Sequence, residues 1–285
     1  MEEYILNNGV KMPEIGLGTW LIDNEKIGEV VKNAISVGYR LIDTAQAYGN
    51  EEGIGKAIKE CGLKREELFI ATKIRAEYKS YEEAKKSIDE SLQKMGLDYL
   101  DLVIIHSPQP WTDFRENEKR FFEENILVWK ALENAYKEKK VRAIGVSNFL
   151  KDDLENILKN CEIRPMVNQI LTHISNTNFE LIKYCEENNI QVEAYSPIGH
   201  GALLNNETLV EMAKKYQVSV PQLCIKYVLQ LGAIAIPKAT SLEYLKSNIN
   251  VDFEISKEDM EILKNVEKIK DYGKDSHFPV FNKGK

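Results

Sequence analysis

Eight short apolar segments, separated by stretches long enough for a helix, constrain this chain more than any other feature of it. They are Ile15 to Gly18, Arg40 to Ile42, Phe69 to Thr72, Leu102 to Ile105, Ala143 to Val146, Met166 to Gln169, Gln191 to Ala194 and Ile234 to Ile236. Between them Ile27, Val30, Val31, Ala34 and Ile35 share one helix face, as do Ala84, Ile88, Leu92 and Met95, and later Leu209, Met212, Ala213 and Tyr216. Strand, helix, strand with short connections calls for a parallel sheet covered by helices. Eight repeats favour an α/β fold closed as a (β/α)8 TIM barrel over an open sheet. Neither GxGxxG after the first strand nor GxxxxGK[ST] occurs, which disfavours a doubly wound dinucleotide-binding sheet. At 285 residues, with no Gly/Ser/Pro-rich linker, residues 1–285 are expected to form one such domain.

Ahead of the first repeat, YIL, NNG and VKM suggest a hairpin. The longest irregular stretch, His106 to about Glu124, follows the fourth strand, and connections of that length usually carry function. Two late helices are expected over Val220 to Leu231 and around Asp259 to Val266. The second, with Ser256 and Asp259 at its start, is expected to be extra to the barrel, and the tail from Asp271 to be extended.

Charge narrows the partners. Lys and Arg number 38 against 45 Asp and Glu, a formal net charge of -7, and no basic run occurs, so neither nucleic acid nor an anionic membrane is an expected partner. Cys61, Cys161, Cys185 and Cys224 are dispersed and form no CxxC pair, and His106, His173, His200 and His277 form no HExxH pair. No metal site or disulfide framework is therefore expected. Without a signal-like start or a long apolar window, the reading is a cytoplasmic protein. His173, His200 and His277 read as ordinary loop residues, and Asn206 as the start of a helix rather than a glycosylation site.

In a barrel of this kind, chemistry gathers where strands run out at their C-terminal ends. Asp43, Lys73 and His106 follow the second, third and fourth strands, and Tyr48 lies in the second connection. Neighbouring strands are about 4.8 Å apart, so these groups can converge. Taken singly, each has a bland reading as a cap, surface residue or structural histidine; together they suit proton delivery to a carbonyl oxygen. An ammonium beside a phenol favours the phenolate and lowers its pKa; Asp43 would hold Lys73 charged, and His106 beside it would stay neutral. A second set follows the later strands: Ser147 and Asn148, Gln169, and Tyr195, two amides, a hydroxyl and a ring suited to a flat heterocycle and its carboxamide. Lys238 and Thr240, at the start of a helix after the eighth strand, suit a phosphate.

These residues sit within a longer series of motifs: GLGTW at Gly16 to Trp20, GYRLIDTAQAYGNE at Gly38 to Glu51, ATK ending at Lys73, DLVIIHSP at Asp101 to Pro108, GVSNF at Gly145 to Phe149, NQI at Asn168 to Ile170, AYSPIG at Ala194 to Gly199 and IPK at Ile236 to Lys238. From about Met12 to Val266 the chain resembles the aldo-keto reductases, and most resembles the small bacterial aldehyde, methylglyoxal and diketo-acid reductases. The resemblance implies a barrel with an N-terminal hairpin and two additional helices, and an oxidoreductase passing hydride from NADPH or NADH to small aldehydes or ketones. It implies Asp43, Tyr48, Lys73 and His106 as the catalytic set, with Tyr48 as general acid. Gly18, Thr19, Trp20, Asp43, Ser147, Asn148, Gln169, Tyr195, Ser196, Pro197, Ile198, Gly199, Lys238, Ala239, Thr240, Tyr244 and Asn248 would line the cofactor, and Trp20, Tyr48, His106 and Trp111 the substrate. A small carbonyl is then the expected partner of a chain that works as a monomer, with a weak dimer allowed.

Three features depart from the family pattern. Many NADPH-preferring members carry Ser, Arg and an acidic residue where this chain has Ala239, Tyr244 and Ser247, so the guanidinium that would pair with a 2'-phosphate is missing and NADH use is expected beside NADPH. Ser107 stands where Trp is commoner, with Trp111 as its replacement. The tail is shorter than the substrate-covering loops of steroid-reducing members. The rival readings are a noncatalytic nicotinamide sensor and a barrel lyase or isomerase.

Overall fold

The apolar segments pair in register, each parallel to the next. The structure, a computed structural model, describes residues 2–116 and 118–282. A hairpin of β1 (Glu3–Ile5) and β2 (Lys11–Pro13) precedes eight parallel strands: β3 (Gly16–Gly18), β4 (Leu41–Asp43), β5 (Phe69–Ile74), β6 (Leu100–Ile105), β7 (Val141–Ser147), β8 (Val167–Leu171), β9 (Gln191–Tyr195) and β10 (Ile234–Ile236). Ile15 bridges Ala235 in parallel, and the Gly18 N–H donates to the Pro237 carbonyl at 3.1 Å, so the first and last of the eight meet and the sheet closes. Closure removes the sheet edges, and helices cover the outer face, which is why these strands are mostly buried and mostly apolar.

The covering helices are α1 (Asn24–Val37), α2 (Glu51–Glu60), α3 (Tyr81–Met95), α4 (Phe122–Lys137), α5 (Lys151–Asn160), α6 (Phe179–Glu187), α7 (Glu207–Tyr216), α8 (Val220–Gln230) and α9 (Leu242–Ile249), followed by α10 (Lys257–Lys264) and the short α11 (Pro279–Asn282). The stripe Ile27, Val30, Val31, Ala34 and Ile35 on α1 is buried throughout. Several helix starts are fixed by side-chain caps: Asn206 accepts from the Leu209 N–H, and Ser256 from the Asp259 N–H. Gly55 lets α2 and α3 touch, since a Cβ there would lie 2.2 Å from the Met95 carbonyl oxygen.

Besides the short α11, two helices among the described residues lie outside the strand-helix alternation, α7 and α10. They are tied together by Asp259 of α10, which accepts from Lys215 of α7 at 2.6 Å and from the Tyr216 hydroxyl. The hairpin sits at the opposite end from the strand C-termini, where the Asn7 amide donates to the carbonyls of Pro165 and Asn189. Nearby, Asp101 at the start of β6 is sealed and accepts from both Arg65 and Arg142 at 2.6 Å.

One expectation is overturned here. The tail is not extended: a single-turn helix over Gly273–His277 and then α11 fold back, burying Tyr272 and Phe281. Tyr272, Phe278 and Phe281 dock the segment by their rings, against His173, Trp20 and one another; residues 283–285 lie outside the described residues.

Candidate active site

Strand register brings the four expected residues to one place. Asp43 ends β4 in register with Ala71 of β5, and Lys73, two residues on, points from the same face of β5 into the barrel. Lys73 thus lies inside its strand rather than after it. His106 follows β6, its N–H donating to the Ile74 carbonyl at 3.1 Å, and Tyr48 closes a single 3-10 turn, Gln46–Tyr48.

The Lys73 ammonium donates to Asp43 Oδ2 at 2.6 Å and to the Thr44 carbonyl at 2.8 Å. Both side chains are almost completely shielded from solvent, 1% and 4% exposed. The ammonium stands 4.9 Å from the centroid of the Tyr48 ring. The His106 ring meets the Tyr48 ring edge-on at 5.7 Å, and Trp111 of the long loop meets His106 in the same way at 5.1 Å.

Electrostatics follow from this sealing. Burial pulls the lysine's pKa down, but Asp43, Tyr48 and Glu193 together carry it above its ordinary value, so Lys73 stays charged. Burial, then the neighbouring ammonium, holds His106 well below the usual imidazole range, leaving it neutral as expected. For Tyr48 the expectation is corrected. Burial raises the phenol, Lys73 lowers it, and Asp43 and Glu193 raise it again, so the net direction is upward. The hydroxyl therefore keeps its proton at neutral pH, with the Lys73 ammonium beside its ring. His106 Nδ1 is buried and has no hydrogen-bond partner among the described residues.

The second set also converges. The Ser147 hydroxyl donates to the Gln169 carbonyl at 2.9 Å, the Asn148 amide to the His106 carbonyl and to Ser147 Oγ at 3.1 Å each, and the Tyr195 hydroxyl to Asn148 Oδ1 at 2.7 Å. Gln169 Nε2 bridges Asp43 Oδ1 at 2.9 Å and Glu193 Oε2 at 2.7 Å, joining this set to the first. A cavity of about 380 Å3 opens beside Asn148 and Tyr195, walled in part by Phe114 and Arg115 of the long loop.

Beyond Tyr195 the chain turns through Ser196, Pro197, Ile198 and Gly199. Ser196, Gly199, His200 and Gly201 all have positive φ, at 52°, 58°, 53° and 85°. Successive N–H groups in such a turn form a concavity suited to an anion. Further out, Lys238 and Thr240 are exposed, Ala239 and Asn248 are buried, and Tyr244 is 63% exposed near the start of α9. Gly18 is pressed against the Ile236 carbonyl, 3.0 Å from where a Cβ would sit, and the Thr19 hydroxyl is spent on the Asp43 carbonyl at 2.9 Å.

Of the residues expected to line the substrate, Tyr48, His106 and Trp111 form one aromatic run. Trp20 instead packs against the returning tail, with Phe278 at 4.5 Å and His200 at 5.3 Å. His173 and His200 are correspondingly not ordinary loop residues. The first is buried and pairs with the Tyr272 hydroxyl at 2.8 Å; the second pairs with Asp275 at 2.9 Å, so both anchor the tail. Sequence reasoning missed them, and it missed Glu193, whose signal was a carboxylate set between Val192 and Ala194 inside a strand.

The aldo/keto reductase family model matches residues 14–268. The chain belongs to the aldo/keto reductase family. It is 45% identical over 258 residues to the glyoxal reductase of Bacillus subtilis (strain 168), covering 90% of this chain and 89% of that protein. To the 9,11-endoperoxide prostaglandin H2 reductase of Trypanosoma cruzi (strain CL Brener) it is 40% identical over 281 residues, 96% of this chain and 95% of that one. Among solved structures, an aldo-keto reductase of Bombyx mori in complex with NADP superimposes with a TM-score of 0.86 at 31% identity, covering 96% of this chain and 95% of that one. As an aldo/keto reductase the protein is an NAD(P)H-dependent oxidoreductase of small carbonyl compounds.

Proposed function

We propose that this aldo/keto reductase reduces small aldehydes and ketones of the glyoxal class, with NADPH as the principal hydride donor, NADH as a second one, and Tyr48 as the proton donor. The observation that carries the reading is a protonated phenol held between a charged ammonium anchored by a carboxylate and a neutral imidazole.

The residues fit a nicotinamide dinucleotide. With Gln169 Nε2 committed to two carboxyl groups, its oxygen is the group offered to a carboxamide, and the positive-φ turn at Ser196 to Gly201 suits a diphosphate. Tyr195 offers a ring for stacking, and Lys238 and Thr240 a cation and a hydroxyl for a further phosphate. Bound there, a reduced nicotinamide would supply the hydride. Tyr48 gives its proton to the carbonyl oxygen, which is favourable because an alkoxide is a far stronger base than a phenolate. Lys73 stabilises the phenolate that remains, and Asp43 keeps Lys73 in place. His106, neutral and edge-on to the Tyr48 ring, orients the carbonyl oxygen. The NADP of the Bombyx mori relative supports the phosphorylated dinucleotide, and the absence of an Arg at Tyr244 supports tolerance of NADH. Four unpaired cysteines support a reducing, cytoplasmic setting.

The test is to mix the protein with NADPH or NADH and a panel of small carbonyls while following loss of the reduced nicotinamide's absorbance. Turnover with either donor is expected. Cofactor binding without turnover across the panel contradicts the proposal and favours a sensor. A preference for NADPH of about a hundredfold, roughly 2.8 kcal/mol, contradicts the dual use.

A further inference from the structure

Parallel strands covered on both faces are ordinarily apolar along their length. Glu193 nevertheless stands between Val192 and Ala194 in the middle of β9, with no exposed surface. It is in register with Gln169 of β8, and its Oε2 accepts from Gln169 Nε2 at 2.7 Å. The same nitrogen donates to Asp43 Oδ1, and Asp43 Oδ2 accepts from Lys73. Four side chains from four strands thus form one hydrogen-bonded line across the barrel. An amide set between two carboxyl groups has its orientation decided: the nitrogen must face both, and the oxygen turns away from them. Glu193 Oε1 has no partner among the described residues.

The charges on this line are unequal to its burial. Lys73 and Asp43 cancel, and a second carboxylate would leave the sealed interior negative. The charged and titratable groups acting on Glu193 are Asp43 from β4, Lys73 from β5 and Tyr48 from the 3-10 turn, with the neutral amide of Gln169 from β8 and Ile234 as the register neighbour on β10. Burial, then Asp43, keeps a proton on the carboxyl and pushes its pKa up to about 8.

Resting on the reading in which Gln169 carries the nicotinamide carboxamide, we infer that Glu193 is a positioning and charge-matching residue: it fixes the Gln169 amide and, by holding or releasing its proton, suits the site to the neutral reduced ring or to the cationic oxidised one. Protonated, it leaves the line with zero net charge, which matches dihydronicotinamide. Ionised, it adds one negative charge, which matches the positive ring of the oxidised nucleotide. Binding the oxidised nucleotide therefore favours loss of the Glu193 proton to solvent, and raising the pH favours the oxidised nucleotide in return. The two effects are linked by the same free energy.

The experiment measures dissociation constants of the oxidised and reduced nucleotide, by quenching of protein fluorescence, from about pH 6.5 to about pH 9, in wild type and Glu193→Gln. Taking the ratio of the two constants cancels titration of the phosphates both nucleotides share. In wild type the ratio is expected to move toward the oxidised form on the order of tenfold over this range, because a unit charge meets a ligand that differs by a unit charge. Glu193→Gln keeps an oxygen to accept from Gln169 but cannot ionise, so its ratio should stay flat. As a measurement needing no variant, adding oxidised nucleotide to weakly buffered wild type near pH 8 should release protons, and adding reduced nucleotide should not. A flat wild-type ratio, an unchanged slope in Glu193→Gln, or equal proton release with both nucleotides overturns the inference while leaving the functional reading intact. Failure of both nucleotides to bind at any pH overturns that reading and this inference together.

Discussion

At the floor of the barrel Asp43, Lys73, Gln169 and Glu193 are buried and tied to one another across four strands, whereas at the rim after β10 Lys238, Thr240 and Tyr244 stand in solvent. The floor is over-determined: no member moves without leaving a buried polar group unpaired, which costs far more than an exposed contact returns. The rim is sparse, and a side chain there changes without disturbing its neighbours. The proposed function would thus confine chemistry to the part of the molecule that resists change, and choice of cofactor to the part that tolerates it.

The contrast yields graded expectations. Lys73→Met should have the largest effect, because it leaves the Asp43 carboxylate buried without its partner: about 3–5 kcal/mol of stability lost in urea unfolding. Adding Asp43→Asn to that variant should restore part of the loss, and a cost no larger than for an exposed lysine would break the contrast. At the rim, Lys238→Ala should raise the NADPH dissociation constant by roughly tenfold with no change in stability or in NADH binding, and Tyr244→Arg should lower the NADPH constant by a comparable or smaller factor. An equal effect on both nucleotides would remove the rim from phosphate recognition.

The smallest expected effect is at His106. Its folded pKa lies below the ordinary value, so kcat should vary by less than about twofold around pH 6.5, where an ordinary imidazole would titrate. The sign for stability is fixed by the same shift. The unfolded chain takes up the proton below about pH 6.5 and the folded one does not, so His106, like His173 with its pKa lowered to about 3, costs stability as the pH falls below about 6.5. The slope is up to about 1.4 kcal/mol per unit for each. Replacing His173 by Gln should reduce the slope measured between about pH 6 and 4.5.

How much of this was legible in the sequence varies with how local the cause is. The eight strands were, because an apolar run bounded by helical periodicity is written in consecutive residues, although β5 and β6 run further than the pattern suggested: Lys73 and Asp101 are polar yet inside strands. Asp43, Lys73 and His106 could be placed at strand ends, so their convergence followed from the barrel alone. The direction of the Tyr48 shift could not be read, since it depends on a burial and a second carboxylate, Glu193, that come from the far side of the barrel. The tail was misread for a related reason: its order comes from Trp20, His173 and His200, each at least about seventy residues away in the chain, and nothing in its own sequence repeats.

The central claim, proton donation by the Tyr48 hydroxyl, is tested most directly by single-turnover reduction of a small aldehyde with NADPH-loaded wild type and Tyr48→Phe, with the NADPH dissociation constant measured on the same preparations. The expected result is an unchanged constant and a rate lower by roughly 10²–10⁴-fold. A rate within a few-fold of wild type would contradict it.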